Sequence, residues 1–418
     1  MSTRLALQSA AQRLALQSAA RCRAPRRRCA LHAAPTRGSA QQQRRPASAS
    51  ATGSAAVPSL SEARLLFACA PALEHHWPGH PESAARVPAI LAELEGAGLT
   101  QSHELLKLGP APPATPAHLQ LVHRAQFLES LESLTRLRAP CLYDSAPTYL
   151  TRTSFQDAAL GVGAALALVD AVVLESRSRA AAGGTPGPSG FALCRPPGHH
   201  ALPDTSMGFC ILSTAAIAAR HAQQTHGLQR VLIYDFDVHH GNGTAETFEY
   251  DPSVLYVSTH QRGAYPQTGD LLDVGSGPGQ GFTVNVPLPG GSGDAAARAC
   301  MESIVAPLAE RFQPHIMLVS AGYDAHWRDP LAGLSWRDGT YHALSLMLRG
   351  LAERLCGGRI VFLLEGGYDL KGLARGTADT FRALMATEPG APDRAERDLL
   401  EEPGVAQLLR EVRALHSL

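Results

Sequence analysis

"RVLIYDFDVHHGNGT", residues 230–244, begins as a strand and ends as a cluster of acids and histidines. Its first part is an uninterrupted apolar, β-favouring run, the pattern of a strand covered on both faces in a parallel sheet. Asp235, Asp237 and His239 then arrive where that strand stops. Side chains two residues apart on an extended chain point to one face, so Asp237 and His239 can approach a single ion together. A DxH pair alone is often only a salt bridge, and the rest of the chain has to decide its meaning.

Working outward, the same pattern recurs. Apolar runs "LLFACA" (65–70), "GFALCR" (190–195), "SVLYVST" (253–259), "HIMLVSAG" (315–322) and "RIVFLLEGG" (359–367) predict further strands. Helical patterns lie between them, at 154–176 and 213–227 among others. Strands alternating with helices predict one α/β domain with a mostly parallel sheet flanked by helices. His199 and His200 follow one strand, Asp324 follows another, and Tyr368 follows a third. Ligands of open parallel sheets bind outside the carboxyl ends of the strands, so four polar clusters at four strand ends converge on one expected site.

In "RPPGHHALPDTSMGFC" (195–210), two prolines and a glycine precede two adjacent histidines. On a helix or strand these would diverge, whereas on a turn both rings can face one point. Asp237, His239 and Asp324 together make an Asp₂His set with a position left open, as a catalytic zinc requires; Fe²⁺ or Co²⁺ would also suit these donors.

The formal net charge is zero, but ten of the 37 basic residues are arginines within the first 55 positions, where no acid occurs. The remainder carries 27 basic and 37 acidic residues. So acidic a body argues against direct nucleic-acid binding. The leader repeats "RLALQSAA" from Arg4 and Arg13 and has the composition of an organelle transit peptide. A plastid is expected ahead of a mitochondrion, with cytoplasm or nucleus if the leader is only a basic tail. Residues 56–64 read as a linker, 65–390 as the catalytic domain and 391–418 as a helical extension. No uninterrupted apolar run reaches membrane-spanning length. Eight cysteines without a CxxC pair argue against a disulfide framework. His221 and His226 read as solvated residues on a polar helix face.

Taken together, "HPESAARV" (80–87), "RPPGHH", "GFC", "DFDVHHGNGT", "DPSVLYVSTHQ", "VSAGYDAHWRDPLAG" and "LEGGYDL" resemble the zinc-dependent histone deacetylase family and its acetylpolyamine amidohydrolase relatives. "EGGY" and the asparagine of "HHGNGT" resemble its class II side, and "STHQRGAYPQTG" its bacterial and plant-plastid branch. The resemblance implies the arginase/deacetylase fold and a hydrolase of acetyl amides. It implies Asp237, His239 and Asp324 as zinc ligands and His199 and His200 as the paired histidines beside the attacking water. Asp235 and Asn242 would orient them, and Tyr368 would supply a hydroxyl to the acyl oxygen. Gly208, Phe209 and Tyr265 would line a narrow tunnel with Leu331 at its rim. Ser258 and Thr259, and separately Phe248, Asp251 and Val254, would lie near structural potassium ions.

The implied substrate is an acetylated lysine of a protein, or else a small N-acetylated amine. Leu331 stands where polyamine-selective relatives place a glutamate, which argues against charged polyamines. In the rim segment "CLYDSAPTYLTRTSF" (141–155), Asp144 is the nearest acid for gripping a peptide backbone, and it is offset from the family's position. A silent acyl-lysine-binding scaffold is the remaining alternative, against which the full set of ligands, histidines and Tyr368 argues. Urea hydrolysis of the arginase type needs a second metal, which His240 with Asn242 would not hold.

Overall fold

The computed structural model describes residues 59–387 and 403–418; the leader lies outside the described residues. Among the described residues ten strands are present: β1 (Leu65–Ala70), β2 (Leu105–Lys107), β3 (Cys141–Leu142), β4 (Tyr149–Leu150), β5 (Ser189–Cys194), β6 (Val231–Asp235), β7 (Val254–Gln261), β8 (Thr283–Leu288), β9 (Ile316–Ala321) and β10 (Ile360–Leu364). Eight of them form one sheet in the order β2-β1-β5-β10-β9-β6-β7-β8, with every neighbouring pair parallel; β3 and β4 form a separate antiparallel ribbon.

Alternation within the strands divides the core. Leu232 and Tyr234 of β6, Met317 and Val319 of β9, and Phe362 of β10 face one layer; Val231, Ile233, Leu318 and Val361 face the other. The first layer is closed by α1 (Arg86–Gly96) and by elements from the second half of the chain. The second layer is closed by α2 (Pro116–Leu119), α3 (Ala125–Leu137), α4 (Ser154–Ala181) and α5 (Thr214–His226), while α6 (Asn242–Phe248) follows β6. On the first side, α7 (Asp294–Cys300) runs through a π turn into α8 (Ala306–Phe312), followed by α9 (Asp338–Cys356) and α10 (Leu370–Met385). The last helix, α11 (Pro403–Leu415), contributes Val405, Leu408, Leu409 and Val412 to this same core.

The six predicted strands are present, β1 with the bounds expected and the other five with ends shifted by a residue or more. The short β2, β3 and β4 were not anticipated, nor was β8, where Pro287 interrupts the apolar pattern; as an edge strand of the sheet β8 tolerates the proline. By length and composition α4 could cross a bilayer, yet two thirds of its most apolar window is buried in the fold, against β1, β5 and α5. It serves as a core helix, and Asp170 is the charge that interrupts its apolar run. The six described cysteines are free thiols.

His221 and His226 are not solvated. Their side chains are 8% and 7% exposed, and both ring Nε2 atoms meet the Asp170 carboxylate. A helix that looks polar in sequence can still place its polar atoms against a neighbouring helix, as α5 does here.

Candidate active site

The four polar clusters follow β5, β10, β9 and β6, which are consecutive in the sheet. Parallel pairing aligns their carboxyl ends, and residues far apart in sequence therefore share one floor. Asp237, His239 and Asp324 each place one candidate ligand atom within 4.8 Å of the others, all buried. His239 Nδ1 is 3.1 Å from both Asp237 Oδ1 and Asp324 Oδ2. Backbone N–H groups fix the outer oxygens: Gly366 donates to Asp237 Oδ2 at 2.8 Å and Val238 to Asp324 Oδ1 at 3.0 Å.

The donor set fits a divalent cation. Asp237 and Asp324 are fully buried carboxylates, and no Arg or Lys pairs with either among the described residues. Unpaired buried charge is expensive, and two carboxylates around one imidazole need a cation to balance them. Burial works against a charge on His239, but its hydrogen bonding to the Asp237 and Asp324 carboxylates pushes its pKa up to about 10. The two carboxylates thus create a strong demand for positive charge at that point, and nitrogen with carboxylate oxygen is a zinc donor set.

Beside this trio the rings of His199 and His200 lie 4.0 Å apart between centroids. The two residues differ in partners. His199 Nδ1 meets Asp235 Oδ2 at 3.1 Å, and Asp235 is held in turn by the Tyr256 hydroxyl. His200 Nδ1 meets Asn242 Oδ1 at 2.8 Å. Burial opposes charge on both. At His199 the charges of Asp237 and Asp235 outweigh it and hold the pKa well above the usual value. At His200 burial is reinforced by the charges of His199 and His239, and the pKa falls well below it. The surroundings thus favour charge on His199 and the neutral form of His200. An acceptor at Asn242 Oδ1 fixes the His200 proton on Nδ1 and leaves Nε2 free to take one.

Tyr368 is half-buried on the turn after β10. Its ring stands edge-on to Phe209 at 5.6 Å, and the Arg86 guanidinium lies 5.1 Å from its centroid. Tyr265 stands edge-on to His200 at 5.1 Å. Gly208, at φ +57°, passes between them: a Cβ there would come within 2.5 Å of the His200 ring and 2.7 Å of the Tyr265 ring. Phe209 itself adopts φ +70°, an uncommon conformation for a bulky residue, with its N–H held by Thr148 Oγ1 at 2.9 Å. Leu331 is 40% exposed. The Asp144 carboxylate is engaged within its own loop, accepting from Ala146 N and Thr148 N at Oδ1 and from Thr148 Oγ1 at Oδ2.

At the expected potassium positions, Ser258 Oγ meets His260 Nδ1 at 2.9 Å and Thr259 Oγ1 meets the Tyr234 hydroxyl at 3.1 Å. Phe248 and Val254 are buried, and the Asp251 carboxylate is engaged by Ser253 and Arg220.

Several functional residues escaped the sequence reading. Glu365, fully buried, accepts the N–H groups of Gly198 and His199 at 2.7 and 3.1 Å and so sets the histidine turn. Burial raises its pKa to about 7. Asp329 does the same for the tyrosine turn, accepting from Tyr368 N at 2.6 Å and Asp369 N at 3.1 Å. Beneath both, Glu82 joins Arg86 and Arg195 in a buried cluster. Arg86 donates to the carbonyls of Gly367 and Glu365, and Arg195 to those of Pro71, Ala72 and His75. The available signal was Arg195 at the end of an apolar strand, where an arginine must find internal partners.

The histone deacetylase domain matches residues 80–384 of the chain. Histone deacetylase 10, chloroplastic, of Oryza sativa subsp. japonica is 46% identical over 370 residues, covering 86% of this chain and 82% of that protein. Histone deacetylase 14, chloroplastic, of Arabidopsis thaliana is 48% identical over 339 residues, covering 79% of each. The histone deacetylase-like amidohydrolase of Pseudomonas aeruginosa is 40% identical over 69% of this chain and 73% of its own length. Among solved structures, the crystal structure of the HDA15 HD domain superposes with a TM-score of 0.73 at 33% identity, covering 85% of this chain and 94% of that one.

Proposed function

The chain belongs to the histone deacetylase family, and on that premise we propose that it is a zinc-dependent hydrolase that removes acetyl groups from lysine side chains of proteins. One observation carries this reading: His199, held by Asp235, and His200, held by Asn242, stand side by side next to the buried Asp237, His239 and Asp324. When bound there, zinc supplies Lewis acidity for the acetyl carbonyl and the attacking water.

The residues supply the rest. Neutral His200 takes the water's proton on Nε2 as the C–O bond forms, and Asn242 holds the ring in the required tautomer. Cationic His199, anchored by Asp235, stabilises negative charge developing on the acyl carbon's oxygens. The Tyr368 hydroxyl donates to the same oxyanion. His200 then returns its proton to the amine nitrogen as the C–N bond breaks, releasing acetate and the free amine. Phe209 and Tyr265 flank the acyl-lysine stem, Gly208 gives it room, and Leu331 meets whatever bears it. Oxygens of Ser258 and Thr259, and the segment of Phe248, Asp251 and Val254, are assigned to structural potassium. Residues 65–390 form the catalytic domain, 391–418 its helical extension, and residues 1–55 address the chain to a plastid, as the names of the rice and Arabidopsis relatives suggest.

A small N-acetylated arylalkylamine is the second reading. It is favoured by one feature, the Asp144 carboxylate being engaged by three hydrogen bonds of its own loop. Turnover of an acetyl-lysine peptide and of a small N-acetylated arylalkylamine by the purified chain, with and without a hydroxamate chelator, separates the two. Chelator-sensitive cleavage of the peptide is expected. Cleavage of the small amine alone would transfer the assignment to it, and cleavage of neither by zinc-loaded protein would overturn both.

A further inference from the structure

A second group of metal-binding side chains lies on the helical layer, outside the catalytic floor. Asp170 projects from α4, and His221 and His226 from the last turns of α5. Both imidazole Nε2 atoms converge on one carboxylate oxygen, Asp170 Oδ1, at 2.7 and 2.6 Å. Their ring centroids are 5.8 Å apart and nearly perpendicular. Five residues apart, the two histidines lack the i, i+4 spacing of a helical zinc motif, and the sequence gives no hint of the convergence.

We propose that Asp170, His221 and His226 form a second, structural site for a divalent transition cation, best suited to Zn²⁺, that joins α4 to α5. Four features support it. The donors are two imidazole nitrogens and a carboxylate oxygen, a zinc set complete but for one position. Thr225 Oγ1 lies 3.2 Å from His221 Nδ1 and can accept its proton when Nε2 binds metal, the outer contact that ligating histidines commonly make. Asp170 is 42% exposed while both imidazoles are buried, which gives an entry path and room for a water as fourth ligand. No Arg or Lys pairs with Asp170 among the described residues, so its charge is met only by imidazoles.

Zinc bonds of about 2.0–2.1 Å in tetrahedral geometry hold ligand atoms about 3.3 Å apart. The carboxylate must therefore withdraw by about 0.6 Å, a movement open to a half-exposed side chain. The site is remote from the chemistry. Gly198 abuts the first residue of α5, whereas His221 and His226 follow 7 and 12 residues later, on the order of 10–18 Å along the helix. The ion would brace the scaffold and touch no substrate.

Metal content of the full chain tests this. After chelator stripping and dialysis against micromolar Zn²⁺, mass spectrometry should count two equivalents per chain. Asp170→Asn, which keeps the acceptor oxygen and the side-chain volume, should retain one and leave deacetylation unchanged; His226→Gln should behave alike. Asp237→Asn should also retain one, the complementary one. In that background, Zn²⁺ at 100 times its Kd should raise Tm by about 5 °C, and Asp170→Asn should abolish the rise. A wild-type stoichiometry of one, or a second equivalent that survives both Asp170→Asn and His226→Gln, would overturn the proposal.

Discussion

Tyr368 lacks a structural duty for its hydroxyl comparable to the one proposed in catalysis, since the ring packs on Phe209 and Arg86 through its faces and edge. Tyr368→Phe should therefore fold normally and slow deacetylation by about 10²-fold or more, as loss of other oxyanion donors does; kcat of the purified variant checks it. Gly366 makes the opposite case. A Cβ there would fall 2.2 Å from Asp324 Oδ2 and 2.6 Å from Asp237 Oδ2, so no side chain fits beside the carboxylates. Gly366→Ala should lose the catalytic zinc equivalent, read by metal analysis, before it loses the fold. At this scale the sequence was legible wherever residue type implied chemistry, as at Asp237, His239, Asp324 and the histidine pair. It was mute where chemistry depended on neighbours: nothing in "LEGGY" says that Glu365 accepts the backbone of a turn about 165 residues earlier.

Between elements, the Glu82–Arg86–Arg195 cluster connects the loop after β1, the start of α1 and the turns after β5 and β10. Burial works against the Glu82 charge, yet Arg195 and Arg86 hold its pKa down to about 2. Glu82→Gln leaves two buried guanidinium groups short of an anion and should cost about 3–5 kcal/mol, measured by denaturant unfolding. His123 performs a smaller joining task. Its Nε2 accepts the N–H of Ser213, the residue that precedes α5, at 2.9 Å, and protonation would abolish that bond. Burial lowers the pKa of His123 to about 4, and burial likewise lowers that of His75 to about 4. The unfolded chain, with histidines near the ordinary value, binds these protons first. Stability contributed by both is thus complete above about pH 6.5 and declines as pH falls toward 4, by about 1.4 kcal/mol per pH unit for each. Urea midpoints from pH 7.5 to 5 should show the slope, and His123→Gln should reduce it. Helix and strand periodicity located most of these elements; it failed at β8, where Pro287 masked an edge strand, and at α5, where a polar face proved to be an interface with α4.

For the molecule as a whole, apolar runs ending in acids and histidines were enough to read an α/β domain with its site at the strand ends. The lateral order of the strands was not readable, because it depends on which non-local pairs bury most surface. That order has its own consequence. β10 is the last strand in the chain, yet it lies between β5 and β9, in the middle of the four that carry the site. A chain still being synthesised holds Asp237, His239 and Asp324 before residue 360 and still lacks the strand that lies between those bearing them and the histidine pair. Until β10 inserts, β5 and β9 present two bare edges with unpaired backbone, a state prone to pairing with other chains. The four strand ends of the site come together only once β10, within the last 60 residues of the chain, is in place, and a helper that shields open sheet edges during that interval would raise the yield without touching the site.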